Sequence, residues 1–276
     1  GASSNVTGSV QVNGGSLVLG TTDYTRAVGS STGILVNGGT LRINGINVLY
    51  DGGGSTPVTV NAGGTVELNA FHNHFKALTL NGGTITGMRS DADTRYNNEY
   101  TTFDTSVTVG GTQMSTITRI SGGAGLFALG GAPFDVADVT AGTDLLVSAP
   151  LTGGVLTKTG AGTMTLTSSN TYTGNTVING GVLDVSTGGL YRTTAGVAAY
   201  TNTAVVTVAA GGTLRLKSFA YDGDGGTGGL ADYAARRVLN GGTIEVTGAP
   251  HSSGNDFTVA AAGGPFRYNP AVTSNT

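Results

Sequence analysis

The residues able to do chemistry are few, and a disproportionate share gather in two places. Asp91-Ala92-Asp93 stands just before Arg95, Tyr96, Glu99, Tyr100 and Asp104. Glycoside cleavage needs two carboxylates facing one bond, so Asp91 and Asp93 are the best candidate pair; the plain alternative is a set of solvated loop charges. Asp222-Gly223-Asp224 opens a second group, followed by Gly225-Gly-Thr-Gly-Gly229. Calcium takes several hard oxygens, so Asp222 and Asp224 form a calcium candidate. Calcium-binding Gly/Asp arrays repeat their unit many times, whereas this one occurs once, as a flexible Gly loop also would.

His72-Asn73-His74 puts two imidazoles at i and i+2, on one face of a strand, with Phe71 and Phe75 on the other. No third ligand accompanies them, which favours ordinary surface or corner histidines. Tyr96, Tyr100 and Phe103 with Arg95, and Tyr221 with Tyr233, offer stacking area and polar edges. They are candidates for a sugar- or protein-contacting surface; the competing reading has them cover the corners of the fold. Gly160-Ala161-Gly162 is followed by neither Gly-Lys-Ser/Thr nor a helix, so it is no phosphate loop. No Gly-x-Ser-x-Gly elbow precedes a helix. The chain has no cysteine, which removes disulfides, thiolate zinc sites and thiol nucleophiles. We assign no catalytic residue, no metal site and no cofactor, and expect a protein that is not an enzyme.

Composition points to architecture. Glycine supplies 49 of 276 residues, far above the roughly 7% of average usage. These glycines are placed between apolar strand-formers, which argues for order. Only 11% of residues are charged and the net charge is −3, against roughly 25% charged in ordinary domains. Nothing here makes the basic footprint that nucleic acid requires. A surface so poor in charge is covered by Thr, Ser, Asn and Gly, as extracellular proteins often are. No apolar run is long enough for a membrane-spanning helix. The opening Gly1-Ala-Ser-Ser-Asn5 has no Met and no signal-peptide pattern, so we read a processed chain or a piece of a longer one.

One phrase recurs through the chain. It reads Val10-Gln-Val-Asn-Gly-Gly-Ser-Leu17, Ile34-Leu-Val-Asn-Gly-Gly-Thr-Leu41, Leu78-Thr-Leu-Asn-Gly-Gly-Thr-Ile85, and Asn240-Gly-Gly-Thr-Ile244. Variants with one more residue run Val58–Val66 and Val206–Leu214, and a degenerate copy runs Phe257–Phe266. The first Gly of each pair falls at 14, 38, 63 and 82, then at 180, 211, 241 and 263. A period of roughly 20–30 residues holding short strands signals a solenoid. Asn-Gly between apolar runs also codes hairpins. The stretch Val155–Val185 argues against simple hairpins, because several strands and turns of different kinds pass before Asn179-Gly180-Gly181 returns. Asn-Gly-Gly is then a corner where the chain changes face. At roughly 25 residues per coil we expect about eleven coils, a rod on the order of 50 Å long.

The strands alternate as a solenoid wall requires. Leu41-Arg42-Ile43, Val66-Glu67-Leu68, Leu183-Asp184-Val185, Leu214-Arg215-Leu216 and Ile244-Glu245-Val246 each predict inward, outward, inward. The only plausible helical turn is Ala231–Leu239. Gly110–Gly154 is the least regular region, and we place two coils with altered corners there. Three insertions break the pattern, at Met88–Ser106, Thr187–Thr203 and Phe219–Arg237; repeat proteins carry insertions on loops, often on a binding face.

The wording of Leu156-Thr-Lys-Thr-Gly-Ala-Gly-Thr-Met-Thr-Leu166, Asn170-Thr-Tyr-Thr-Gly174 and Asn179-Gly-Gly-Val-Leu183 closely resembles the autotransporter-associated β-strand repeat of bacterial type V passengers and large surface proteins. The close match covers 155–185; the looser phrase spreads over most of the chain. The resemblance implies a right-handed parallel β-helix outside the cell, in a stalk, adhesin or transport-assisting role. Residues 266–276 do not show the alternating strands of a membrane barrel, so no translocator is expected in them.

The expectation is therefore an all-β fold: one elongated β-solenoid domain over 1–276, a structural protein of the bacterial cell surface. It acts as a stalk or as a subunit that stacks end to end, or continues into a longer chain. The alternative is an adhesin module binding glycan or protein through its insertions; a polysaccharide-degrading β-helix enzyme is the third reading. Neither nucleic acid nor membrane insertion is expected.

Overall fold

A computed structural model describes residues 8–20, 28, 31–45, 48–49, 56–69, 73–87, 100–119, 126–168, 170–187, 204–216, 237–247 and 258–268. Within them the chain is all β, in two sheets whose strands all pair in parallel. Nine of the eleven coils contribute one strand to each sheet. The first four coils are β1 (Ser9–Val12) with β2 (Ser16–Leu19), β3 (Gly33–Val36) with β4 (Gly39–Ile43), β5 (Val58–Asn61) with β6 (Gly64–Leu68), and β7 (His74–Asn81) with β8 (Thr84–Gly87). Two longer coils follow. One holds β9 (Tyr100–Val109), β10 (Ser115–Arg119) and β11 (Leu126–Leu129); the other holds β12 (Phe134–Val136), β13 (Leu145–Val147) and β14 (Leu151–Gly153). The last five are β15 (Leu156–Thr159) with β16 (Thr163–Leu166), β17 (Thr176–Ile178) with β18 (Gly181–Asp184), β19 (Val206–Ala209) with β20 (Gly212–Leu216), β21 (Arg237–Asn240) with β22 (Thr243–Val246), and β23 (Thr258–Val259) with β24 (Phe266–Tyr268).

Both sheets run through eleven rungs, from β1 to β23 in one and from β2 to β24 in the other. At about 4.8 Å per rung this spans roughly 50 Å, as the repeat count predicts. The architecture is a parallel β-helix.

The alternation expected from the sequence holds. Leu41, Ile43, Val66, Leu68, Leu183, Val185, Leu214, Leu216, Ile244 and Val246 are all buried, while Arg42 points to solvent. β-Branched and leucyl side chains stack in columns between the two sheets and form one continuous core. Strands buried on one face and solvated on the other need this period of two.

The Asn-Gly-Gly phrases are corners between the two sheets, not hairpin turns. Gly15, Gly39, Gly63, Gly82, Gly181, Gly211 and Gly241 have positive φ between 60° and 84°, which glycine adopts without a Cβ penalty. At Gly39 a Cβ would also run into the Gly15 carbonyl of the coil before it.

Two expectations need correction. The span 88–106 is not one loop: Tyr100 to Ser106 lies within β9, paired with β7 through a register shift between Phe75 and Ala77. The expected helical turn at 231–239 ends in strand, since Arg237–Asn240 is β21; residues 231–236 lie outside the described residues.

Region 110–154 gains a third short wall. The first half of β9 pairs with β11, and β11 with β14. Backbone bonds from Thr171 N to Leu151 O (2.8 Å), Thr173 N to Gly153 O (3.0 Å) and Gly174 N to Gly154 O (3.1 Å) carry the wall one coil further.

Candidate functional site: the return side and the stepped corner

Every connection from the first sheet to the second is a corner among the described residues. The longest connections run the other way, from a strand of the second sheet back to the first: between β2 and β3, β4 and β5, β8 and β9, β18 and β19, β20 and β21, and β22 and β23. The described strand ends that bound these connections share one side of the solenoid, the return side. Ten of the eleven corners carry a glycine of positive φ, the exception being 137–144.

Of the candidate contact residues, Arg95, Tyr96, Tyr221 and Tyr233 lie outside the described residues, as do the carboxylates Asp91 and Asp93 and the calcium candidates Asp222 and Asp224. In sequence all fall between β8 and β9 or between β20 and β21. Tyr100 begins β9 on the return side. Phe103 is a correction: it is fully buried, in the core instead of on a contact surface. Its ring stacks on Phe127 (5.3 Å between centroids, 4° between planes) and on Phe75 (6.0 Å), and meets Phe134 edge-on at 5.5 Å. This aromatic cluster fills the cross-section where the third wall widens it. The misreading came from treating the whole of 88–106 as an insertion.

His74 is half-buried and its Nδ1 lies 2.9 Å from Asp104 Oδ2; His72 lies outside the described residues. Asn73 is fully buried instead of sharing that surface. Its Oδ1 accepts from Val48 N at 2.9 Å, and its Nδ2 donates to Gly45 O at 3.0 Å, tying the return side of successive coils together. Asn170 does the same further on, accepting from Leu151 N at 2.8 Å. Beside it Tyr172 is buried, its hydroxyl 2.9 Å from Thr176 Oγ1. Among the described residues no group of three or more His, Asp or Glu is arranged to hold a metal.

The opposite side of the coil, the corner, carries the polar chemistry that sequence reading missed. In the first coils the corner asparagines stack: Asn37 Nδ2 donates to Asn13 Oδ1 (2.8 Å), Asn61 to Asn37 (2.6 Å), and Asn81 to Asn61 (2.9 Å). The residues just before these asparagines, Val12, Val36, Val60 and Leu80, share one inward column. That column continues through Val109 and Val136. It then stops. Lys158 pairs with Phe134, one column back, and with Ile178 on the next coil, and Ile178 is the residue before Asn179. From this coil on, the corner turns two residues earlier in the wall.

Two buried charges sit at the step. Asp144 is fully buried; its Oδ1 accepts from Val139 N (2.9 Å) and Thr140 N (2.7 Å), and its Oδ2 accepts from Thr163 N (2.7 Å). Lys158 is fully buried in an otherwise apolar column. Its Nζ donates to Thr159 O (2.7 Å), Gly160 O (2.9 Å) and Gly180 O (3.0 Å), carbonyls of two successive coils. Burial pulls the Lys158 pKa down to about 8, against the opposing pull of Asp135 and Asp144. A buried charge is tolerated only when its hydrogen bonds are met; here an acid takes three amides and an ammonium takes three carbonyls. The sequence did carry a signal, because the alternation from Leu156 puts Lys158 on the inward face.

No curated protein and no solved structure matches the chain. Residues 156–185 match the passenger-associated-transport-repeat family. The match covers the stepped corner, the Asn170–Tyr172 segment and the next Asn-Gly-Gly. This segment, within a parallel β-helix, is thus similar to the repeats of that family.

Proposed function

We propose that the chain is a structural β-solenoid of the bacterial cell surface, a stalk segment that extends end to end by adding further coils. The observation that carries this is the uninterrupted stack of eleven rungs in two parallel sheets over a single aliphatic core. The passenger repeat at 156–185 supports a surface-exposed or secreted location. The terminal rungs among the described residues keep the inward alternation of the interior ones: Val10, Leu17 and Leu19 pack only partly against the core, and Val259 and Phe266 are 54% and 45% exposed. The last strand of a sheet is a template for another strand. The next coil comes from a second copy or from more of the same chain. Electron microscopy across a dilution series tests the reading. Rods near 50 Å that lengthen in multiples with concentration support it; compact particles, or contacts through the sides of the rod, refute it.

A second reading, an adhesin module, is favoured by the grouping of the long connections on the return side. Deleting 88–99 or 217–236 should then abolish binding to glycan or surface protein while far-UV circular dichroism stays β. Binding that survives both deletions refutes this reading.

A further inference from the structure

We infer that Lys158 is a tethered cation: its ammonium occupies a cage of backbone carbonyls that fixes where the corner of the solenoid steps, and a small free cation will bind in that cage when the side chain is removed. The inference is independent of the role proposed for the whole protein. Three observations carry it.

First, position. The column of Lys158 is otherwise filled by Val10, Ile34, Val58, Leu78, Val107, Phe134, Ile178, Val208 and Leu239. Nothing in the wall calls for a charge there. Second, valence. The three donors of an ammonium meet three carbonyls at 2.7, 2.9 and 3.0 Å. Two belong to the turn that follows Lys158 and the third to the corner of the next coil, so the cage exists only when the coils are stacked in register. Third, need. Val136 of the preceding coil lies opposite Gly160, since Asp135 pairs with Thr159. A side chain therefore gives way to a glycine with positive φ. The step removes apolar filling and turns peptide carbonyls inward, where they need donors.

The remaining charges nearby fit a cation. Burial works against the charge on Lys158 and Asp135 and Asp144 partly offset it; Asp135 Oδ1 is held by the Thr159 hydroxyl at 3.2 Å. Asp144 is occupied by three amides, so it supplies field without closing a direct ion pair. A ring of carbonyls with nearby negative charge is the setting in which proteins hold monovalent cations and ammonium groups.

The test uses Lys158→Ala and Lys158→Met in the full chain. Thermal unfolding is followed in sodium, potassium, ammonium, methylammonium and tetramethylammonium chlorides at equal ionic strength. Lys158→Ala should lose about 10 °C in Tm, as three buried carbonyls lose their donors. Methylammonium, ammonium or potassium should restore at least half of this saturably, and tetramethylammonium, too large and without N–H donors, should not. Lys158→Met fills the space without a charge, so it should lose stability and show no rescue. An unaltered Tm in Lys158→Ala, or equal response to all five salts, overturns the inference. If Lys158→Ala does not fold, the wild-type protein decides: Lys158 should give a slowly exchanging ammonium resonance that is lost in Lys158→Arg, and its absence overturns the inference.

Discussion

The coils before and after the step solve one problem with two chemistries. In coils one to four the corner is held by side chains from outside the core: an asparagine ladder, each amide donating to the one before. Around the seventh coil the corner is held from inside, by the Lys158 ammonium and the Asp144 carboxylate. Between them stand the two coils with a third wall and the phenylalanine cluster. A parallel β-helix needs a sharp turn of constant geometry, and glycine supplies its φ in both regions. What differs is how turn polar groups find partners. The ladder suits a corner that repeats in place, because identical amides stack at the rung spacing. It cannot follow a corner that moves, and there a long, flexible cation bridges two coils.

The comparison breaks most completely where the regions join. Phe103→Ala empties the centre of the aromatic cluster and should cost about 3–5 kcal/mol in urea unfolding. A cost below about 1 kcal/mol would show that the cluster does not bridge the two regions.

The corner geometry is tested next. Gly39→Ala combines a positive φ of 74° with a Cβ directed at the Gly15 carbonyl, and should cost about 3 kcal/mol. Gly15→Ala has a φ of 67° but open space, and should cost only about 1 kcal/mol. Equal losses would mean that close stacking of corners contributes nothing.

Alkaline pH separates the regions through Lys158. Its folded pKa of about 8 lies below the ordinary 10.5. Between these values the unfolded chain holds the proton and the folded chain has released it, so stability rises with pH across that window. The rise, taken as wild type minus Lys158→Met to remove other titrations, should be at most about 3 kcal/mol. A fall across the window would contradict the burial that lowers this pKa.

Smallest is the ladder. Asn61 donates to Asn37 and accepts from Asn81, so Asn61→Ala should cost about 1–2 kcal/mol. Asn240, at an exposed corner of the later region, should tolerate alanine within about 0.5 kcal/mol. Matching effects at the two sites would erase the distinction between the corners.

The solenoid was legible because its determinants are local and repeated. Asn-Gly-Gly marks the corner, and the triplets around Arg42, Glu67, Arg215 and Glu245 declare the inward face. The polar lock was less so. Lys158 is in phase with Leu156, which could have marked it as inward, but its partners are backbone carbonyls that only stacking brings near. Asp144 takes amides from two successive coils, whose register depends on the step. Phe103 was misplaced because β9 runs out of the return side into the wall, and a bulge opposite Phe75–Ala77 breaks its alternation. Long-range register, not residue type, decides each of these.

The central claim is that one continuous solenoid carries both kinds of corner. The absence of cysteine makes paired spin labels at Val18 and Arg267 straightforward; both lie on outward positions of the same sheet, on its first and last rungs. Double electron–electron resonance should give a single distance near 50 Å, ten rung spacings. A broad distribution, or a distance under about 30 Å, would show that the two regions do not share one axis.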